Sequence, residues 1–511
     1  MREPASRRGA GEPGPHGPVR PDDPRYLDQA DVRREMTRVF DVCDGCRLCV
    51  DLCSSFPTLF EMLEQRPEGG AGWLTPAQQD AVVDRCHHCA LCTRGCPYAP
   101  GRDDSDVDVA RLMLRAQAMR SRHGHLDPAA RRWRRVVGRF AAVARVARAV
   151  PAVTGAVAAS APGSRLRRVV GRVTGLSATR TLPALAPQRF STWFAQRAPA
   201  RPTPGGAAPT TASRPPADRS RAERSAVSIV ATCVVEHSAT AIGIDLVRVC
   251  EHLGLDCSIA EVGCCGAPSL HAGDLDRFTR IARRNVATLT AEIAAGREVV
   301  VAQPTCAHVI RHDYPDHLDG PDVALVAERT RDASSYVEAA VGAPDVAAEI
   351  AAGVTAVGAA ATGRIALHAS SHRRPDVDIA PPGGDLLRLA GSGSRPPTEV
   401  RVVAGCVGAD GVWGLRASND DTAGCAADRV AESLVAAGAD LVAGDDHLSN
   451  RMTAERTGVP TGHPVSVLAR ALGFAPEGAP PAPGRSNPQR DERDADGAGP
   501  ELPLAPQEPR P

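Results

Sequence analysis

Eight cysteines near the amino end stand at intervals that suit one kind of chemistry. Cys43, Cys46, Cys49 and Cys53 are followed, 32 residues on, by Cys86, Cys89, Cys92 and Cys96, with Pro97 directly after. Both runs have the three-plus-one spacing of bacterial ferredoxins. Three thiolates at three-residue intervals wrap one side of a polynuclear iron–sulfur centre, and the displaced fourth reaches another centre. The spacing therefore assigns Cys43, Cys46, Cys49 and Cys96 to one [4Fe–4S] cluster and Cys86, Cys89, Cys92 and Cys53 to a second. Structural zinc prefers paired C-x2-C knuckles, so two zinc sites are the lesser reading. Ser54 stands where the second run has Pro97, a small departure.

A second group is Cys233, Cys264, Cys265 and Cys306. Each falls at the end of a predicted strand or in the turn after it, and in a parallel α/β sheet such ends share one ligand-binding edge. Adjacent Cys264 and Cys265 do not readily bridge to each other, but both can ligate one centre, and Gly266 lets the backbone turn beneath it. These four are candidate ligands of a further iron–sulfur or redox site. The plain alternative is four buried thiols acting as small hydrophobes. Cys250, Cys257 and Cys425 read as core thiols. His87 and His88, inside the second run, read by default as solvated imidazoles, with donation to cluster sulfur as the alternative.

The rest of the chain must position these groups. It has 511 residues, 43 % apolar and 3 % aromatic, so its cores are built from Ala, Val, Leu and Ile in two to four domains. The sixty basic residues are all Arg and balance sixty Asp plus Glu, so nothing steers the whole molecule to nucleic acid. No run of about twenty apolar residues occurs, and no spanning helix is expected. Arg7 and Arg8 are followed by Gly, Glu and Pro rather than an export segment. A cytoplasmic protein is expected, or one peripheral on the inner face of the cell membrane. Sixteen cysteines then point to metal or redox chemistry rather than disulfides. No dinucleotide fingerprint or Walker A motif occurs, so any flavin belongs to another chain.

Composition divides the chain into segments. Residues 1–24 read as disordered, and 26–125 as an α-helical ferredoxin with helices Thr58–Glu64 and Pro76–Asp84, the latter capped by Thr75. Residues 126–197 form a basic segment; between Arg111 and Arg201 there are nineteen Arg and one acid, Asp127. Arg131, Arg132, Trp133, Arg134 and Arg135 precede Val136, Val137, Phe140, Val143 and Val146, the pattern of an interfacial helix with an aromatic anchor. Membrane contact and docking on an acidic partner are the leading readings of this segment, with nucleic acid last. Residues 198–224 read as a linker and 476–511 as a disordered tail.

Two α/β modules, 226–345 and 362–472, read as related halves. Their predicted strands are Val227–Thr232, Val299–Ala302, Arg364–Leu367 and Arg401–Val403, and their helices Thr240–Leu253, Asp274–Ala295 and Asp428–Ala437. Cys264-Cys265-Gly266 in one half answers to Cys406-Val407-Gly408 in the other.

The order Cys233, Cys264-Cys265-Gly266, Pro304-Thr305-Cys306 resembles the cysteine-rich (CCG) domain of heterodisulfide reductase and of the iron–sulfur subunit family of anaerobic glycerol-3-phosphate dehydrogenase. Phe40–Leu63 and Cys86–Pro100 are similar to that family's ferredoxin domain, Leu182–Arg197 to its linker and His463–Leu472 to its C-terminal helix. The resemblance spans roughly residues 38–472. It implies an α+β multidomain fold: an α-helical ferredoxin followed by two α/β CCG modules, the second degenerate. It also implies two [4Fe–4S] clusters, a candidate third centre in the first module, and electron relay from a flavoprotein dehydrogenase to a quinone or another acceptor. The alternatives are a heterodisulfide-reductase-like catalyst using Cys264 and Cys265, and a non-enzymatic sensor or scaffold.

The chain departs from that family pattern at named positions. Gln303 replaces a cysteine in the first module. In the second, Ser371 stands for a thiol between His368 and His372, Val407 follows Cys406, and Asp446 and Ser449 occupy other cysteine positions. The second module is therefore expected to be structural. A mixed site of His368, His372, His447 and Cys406 is the minor reading.

Overall fold

The computed structural model describes residues 19–126, 128–137, 150–197, 226–358, 363–369, 381–409 and 412–476, with Val143, Ala144, Ala147, Arg148 and Ala361 between them. The expected N-terminal segment to residue 18, the linker 198–224 and nearly all of the tail lie outside the described residues, as does His372.

The regular elements of the amino-terminal part are all helical, the α-helices being Gln29–Cys46, Ser55–Leu63, Pro76–Asp84, Leu91–Arg94 and Val109–Arg122. Thr75 and Gln78 form a reciprocal capping box with Pro76 in the first turn, so the helix Pro76–Asp84 has the bounds its cap signals predict. The helix expected over Thr58–Glu64 starts three residues earlier, at Ser55, because Phe56 also joins the core with Val32, Met36, Phe40 and Leu59.

Two four-stranded sheets follow. The first contains β1 (Ala226–Val230), β2 (Asp256–Ala260), β3 (Glu298–Val301) and β4 (Thr330–Asp332); the second contains β5 (Arg364–Ala369), β6 (Glu399–Ala404), β7 (Leu441–Gly444) and β8 (Thr461–Gly462). All pairs are parallel, and the spatial orders are β2-β1-β3-β4 and β6-β5-β7-β8. The expected internal repeat is therefore present as one topology used twice. Parallel neighbours need helical crossovers, which Thr240–His252 and Leu275–Ala294 supply in the first sheet and Asp420–Ala436 in the second. The last begins eight residues before the Asp428 expected. Asp420 and Asp421 in its first turn suit the helix dipole, and Gly424 does not break it. Strands β2, β4, β7 and β8 have no counterpart among the expected ones; they are short or carry few Val and Ile in sequence.

Alternate residues of β1 and β3 face opposite cores. Val227, Ile229 and Val300 face inward to a cluster shared with Leu367, Leu387, Val465 and Leu468 of the second half. Val230, Val299 and Val301 face Phe278, Leu289 and Tyr314 on the far side. The two halves are thus joined by one apolar layer. The helix Pro464–Ala471 lies in that layer, where Arg470 pairs with buried Asp245.

The basic segment is used differently from the expectation. Trp133 on the helix Pro128–Val137 is buried, packed near Leu126, Pro268 and Trp413, so it is no membrane anchor. Phe140 and Val146 lie outside the described residues. The helix Arg165–Thr174 is inverted. It buries Arg167 (1 % exposed), whose guanidinium binds the carbonyls of Arg180 and Val157, and exposes Leu166 (43 %), Val169 (55 %) and Val173 (68 %). Among the described residues no single helix is long and apolar enough to cross a membrane.

Candidate metal centres

The first cysteine run does not lie in a single loop. The helix Gln29–Cys46 carries Cys43 and Cys46 on its last turn, and Arg47, left-handed at φ 55°, turns the chain toward Cys49. In the second run Cys86 follows the helix Pro76–Asp84, and His88 and Ala90, at φ 56° and 54°, reverse the chain so that Cys89 and Cys92 follow. Left-handed backbone at a non-glycine costs of order 1–3 kcal/mol and gathers at functional loops.

The eight thiols sort into two sets. Cys43 has Cys49, Cys96 and Cys46 as thiol neighbours; burial first, and their charge next, push it up to about 12. Cys49 is pushed up to about 11, by burial and then by Cys96, Cys46 and Cys53. Burial raises Cys53, Cys86 and Cys92, which lie against one another and Cys89. Each set borders an open space: about 370 Å³ beside Cys43, Cys46, Cys49 and Cys96, where Cys92 also reaches, and about 480 Å³ beside Cys53, Cys86, Cys89 and Cys92, both continuous with solvent. Among the described residues no three Cys, His, Asp or Glu converge tightly enough to share one ion. The thiols are instead spread around space. Four buried thiolates oppose one another's ionisation, and a cationic iron–sulfur core relieves that opposition. The donor set therefore fits a polynuclear group better than single zinc ions.

At the first sheet the register brings three strand ends level, with Val230 opposite both Ala260 and Val301. Cys233 opens a short helix capped by Thr232, Cys264 and Cys265 follow β2, and Cys306 lies in the helix Pro304–His308 after β3. The four sulfurs form a chain: Cys233 to Cys264, Cys264 to Cys265, Cys265 to Cys306. Protons donated by Cys233 and Cys265, with the Gly266 amide at 3.4 Å and nearby Arg277, hold Cys264 well below the ordinary thiol value despite burial. Cys233 and Cys265 are correspondingly raised, first by that shared proton. A thiolate is the form that ligates metal or attacks disulfides. Gly266 sits at φ 98°, and a Cβ there would lie 2.8 Å from the Phe278 ring, so only glycine makes this turn.

Two residues bracing the pair escaped sequence reasoning. The Asn285 amide donates to the Cys264 carbonyl at 2.7 Å and to the Tyr314 hydroxyl at 2.9 Å, and that hydroxyl donates to the Cys265 carbonyl at 2.8 Å. Asn285 was visible as a polar interruption in the apolar stripe Phe278, Ala282, Val286, Leu289. Gln303 is buried, and both side-chain amide atoms lack a partner among the described residues. A buried orphan amide beside the Cys306 helix fits a site built for an added group. Cys250 and Cys257 are core thiols as expected, but Cys425 is exposed, on the outward face of the helix Asp420–Ala436.

The second sheet presents different groups at the same edge. His368 ends β5 and contacts the Gly405 carbonyl at 3.1 Å; Cys406 follows β6; Asp445 and Asp446 follow β7. Burial first, and Arg451 next, lower His447 to about 4. The minor mixed-site reading gains no support among the described residues. Cys406 instead faces His87 of the ferredoxin loop. His87 is buried, against the expectation of a solvated ring, while His88 stacks on His271 with ring centres 5.0 Å apart.

Comparison with known proteins agrees with this division. Residues 42–99 match the 4Fe-4S dicluster domain and residues 227–311 the cysteine-rich domain. Lactate utilization protein A of Macrococcus caseolyticus is 26 % identical over 266 residues, 47 % of this chain and 95 % of that protein. A subunit of the anaerobic glycerol-3-phosphate dehydrogenase of Escherichia coli is 24 % identical over 243 residues, 47 % of this chain and 57 % of the relative. Citrate utilization protein B of Escherichia coli is 29 % identical over 96 residues, 19 % of this chain and 22 % of the relative. The chain thus spans less than two thirds of the length of two of these three. It carries iron–sulfur and cysteine-rich domains, and its relatives at low identity include a dehydrogenase subunit.

Proposed function

We propose that this chain is an electron-transfer subunit in which Cys43, Cys46, Cys49 and Cys96 hold one [4Fe–4S] cluster and Cys53, Cys86, Cys89 and Cys92 hold a second. The observation that carries this reading is the gathering of eight thiols around two neighbouring spaces, Cys43, Cys46, Cys49 and Cys96 at one and Cys53, Cys86, Cys89 and Cys92 at the other, with Cys92 between them. Bound clusters supply one-electron chemistry. The chain's own residues supply thiolates, a dry setting from Phe40, Phe56 and Met113, and a fixed spacing. Cys233, Cys264, Cys265 and Cys306 hold a further iron–sulfur or redox centre, supported by their convergence at the strand ends, by neighbouring thiols that lower Cys264, and by the orphan Gln303 amide.

The sequence has no nucleotide fingerprint, so the donor is a flavoprotein dehydrogenase on another chain and the acceptor a quinone or another carrier. The relative named as a dehydrogenase subunit supports a partner of that kind. Anaerobic purification with iron and sulfide analysis and EPR tests the assignment. About eight irons mean two clusters and about twelve add a third centre. Stoichiometric zinc, or protein colourless after reconstitution, overturns it.

The same reading keeps the chain in the cytoplasm and docks it on the inner membrane face through the helix Arg165–Thr174. Leu166, Val169 and Val173 form one exposed stripe flanked by exposed Arg165, Arg168 and Arg172, and residues 128–197 hold no acid. An apolar stripe rimmed by cations suits an anionic lipid surface. Flotation with anionic vesicles at low salt should carry the protein, and Val169→Asp with Val173→Asp should abolish it. Wild-type protein that stays at the bottom overturns this docking.

A further inference from the structure

The loop Cys86-His87-His88-Cys89 touches both sheets, one histidine to each. His88 stacks on His271, at the end of the short helix that follows Cys264 and Cys265, and its own amide donates to the Cys86 sulfur at 3.4 Å. His87 turns to the other half. Its Nδ1 lies 3.5 Å from the Cys406 sulfur, although the two are 319 residues apart in sequence. His87 is 1 % exposed and Cys406 6 %. The Trp413 ring packs on the imidazole with centres 4.5 Å apart, and the Gly408 amide donates to the Cys406 sulfur at 3.3 Å.

We infer that Cys406 is a positioning residue for His87, and that through it the second half sets the reduction potential of the cluster held by Cys53, Cys86, Cys89 and Cys92. The inference rests on the cluster assignment proposed above. A ring held at its edge by a thiol and on its face by an indole has one orientation. The contact pairs Nδ1 in either tautomer, because a thiol can donate to a bare Nδ1 or accept from a protonated one. Outer hydrogen bonds and solvent exposure tune iron–sulfur potentials. His87 lies in the two-residue spacer between two of the proposed ligands, so a shift of its backbone moves them. The thiol at the ligand edge of the second sheet thus supports a neighbouring centre.

The test is an EPR-monitored redox titration of full-length, anaerobically purified protein with Cys406→Ala, Cys406→Ser, His87→Ala and the double variant Cys406→Ala with His87→Ala. Cys406→Ala should shift one ferredoxin-cluster potential and leave the other in place. Cys406→Ser, which keeps a donor and acceptor, should stay at the wild-type value. His87→Ala should shift the same cluster, and the double variant should add nothing further. Unchanged potentials in Cys406→Ala, or equal shifts in both clusters, overturn the inference. So does a fall in bound iron in Cys406→Ala, since the thiol would then be a ligand. Wild-type protein without clusters overturns the earlier assignment instead. Hydrogen exchange on the cluster-free chain still reads the brace: amides 86–90 should be protected in wild type and Cys406→Ser and open in Cys406→Ala, and equal exchange in all three overturns it.

Discussion

The two sheets share strand order, direction and connection pattern, yet present different chemistry at the same edge. The first ends in a chain of four sulfurs, Cys233, Cys264, Cys265 and Cys306. The second ends in His368, Cys406, Asp445 and Asp446. Val, Ile, Leu and Ala in the strands and crossover helices hold both sheets, and none of those residues depends on what stands beyond the strand ends. A fold can therefore be copied while its site is lost, because the packing that stabilises a sheet and the side chains that do chemistry are separate sets. The second half keeps its glycine turns and one thiol at the strand-end edge, Cys406, which makes a contact with the ferredoxin loop.

The largest effect should come from the thiols themselves. Cys264→Ser or Cys265→Ser should remove the first-sheet centre, lowering iron content by about four per chain if the centre is a cubane. Cys406→Ser should leave iron content unchanged. Equal iron loss from both sheets would erase the distinction. Protein that reduces a disulfide substrate with a one-electron donor, and loses turnover in Cys265→Ser, would give the first sheet a catalytic role beyond relay.

The two turn glycines extend the contrast. Gly266 and Gly408 both have positive φ, 98° and 68°. Alanine at either position meets left-handed strain of roughly 1–2 kcal/mol. At Gly408 the added Cβ lies 2.8 Å from the Ala423 Cα, which is helix backbone and cannot turn away; at Gly266 the neighbour is a Phe278 ring carbon at the same distance. Gly408→Ala should therefore cost more, by about 1–3 kcal/mol of overpacking. Urea unfolding of the two variants decides the order. The reverse order would mean that the first-sheet turn is the more rigid of the two.

What was legible in the sequence follows from which signals are local. The cysteine spacings predict the two thiol sets proposed above, because ligand geometry is written in intervals of a few residues. The capping box at Thr75 and the long amphipathic helices were legible for the same reason. Strands β4 and β8, of three and two residues, carry no period to read. Tyr314 and Asn285 brace Cys264 and Cys265 from 29 residues apart, and His87 meets Cys406 across 319. Such pairings are made by the tertiary fold; Asn285 marks itself locally as a polar break in an apolar stripe, but its partners do not. Trp133 misled because an Arg-flanked indole has one composition whether it faces lipid or a neighbouring helix; burial separated the cases.

The smallest effect concerns how the halves hold each other. Asp245, on the helix Thr240–His252 of the first half, is buried against Arg470 from the last helix. Burial outweighs the Ser466, Arg470 and Arg248 contacts and holds its carboxyl above the ordinary value of 3.8. The folded chain thus binds this proton more readily than the unfolded one. Its contribution is greatest below the ordinary carboxylate range and is lost as pH rises from there to the raised folded value, beyond which it is flat. Asp245→Asn removes that dependence. Measured by urea unfolding from about pH 4 to about pH 7, the variant should gain on wild type as pH rises, by about 1 kcal/mol or less because Arg470 is partly solvated. A variant that instead loses ground with rising pH would show that the Arg470 pair outweighs the cost of burying the carboxylate, and that the halves are held by charge as well as by their shared apolar layer.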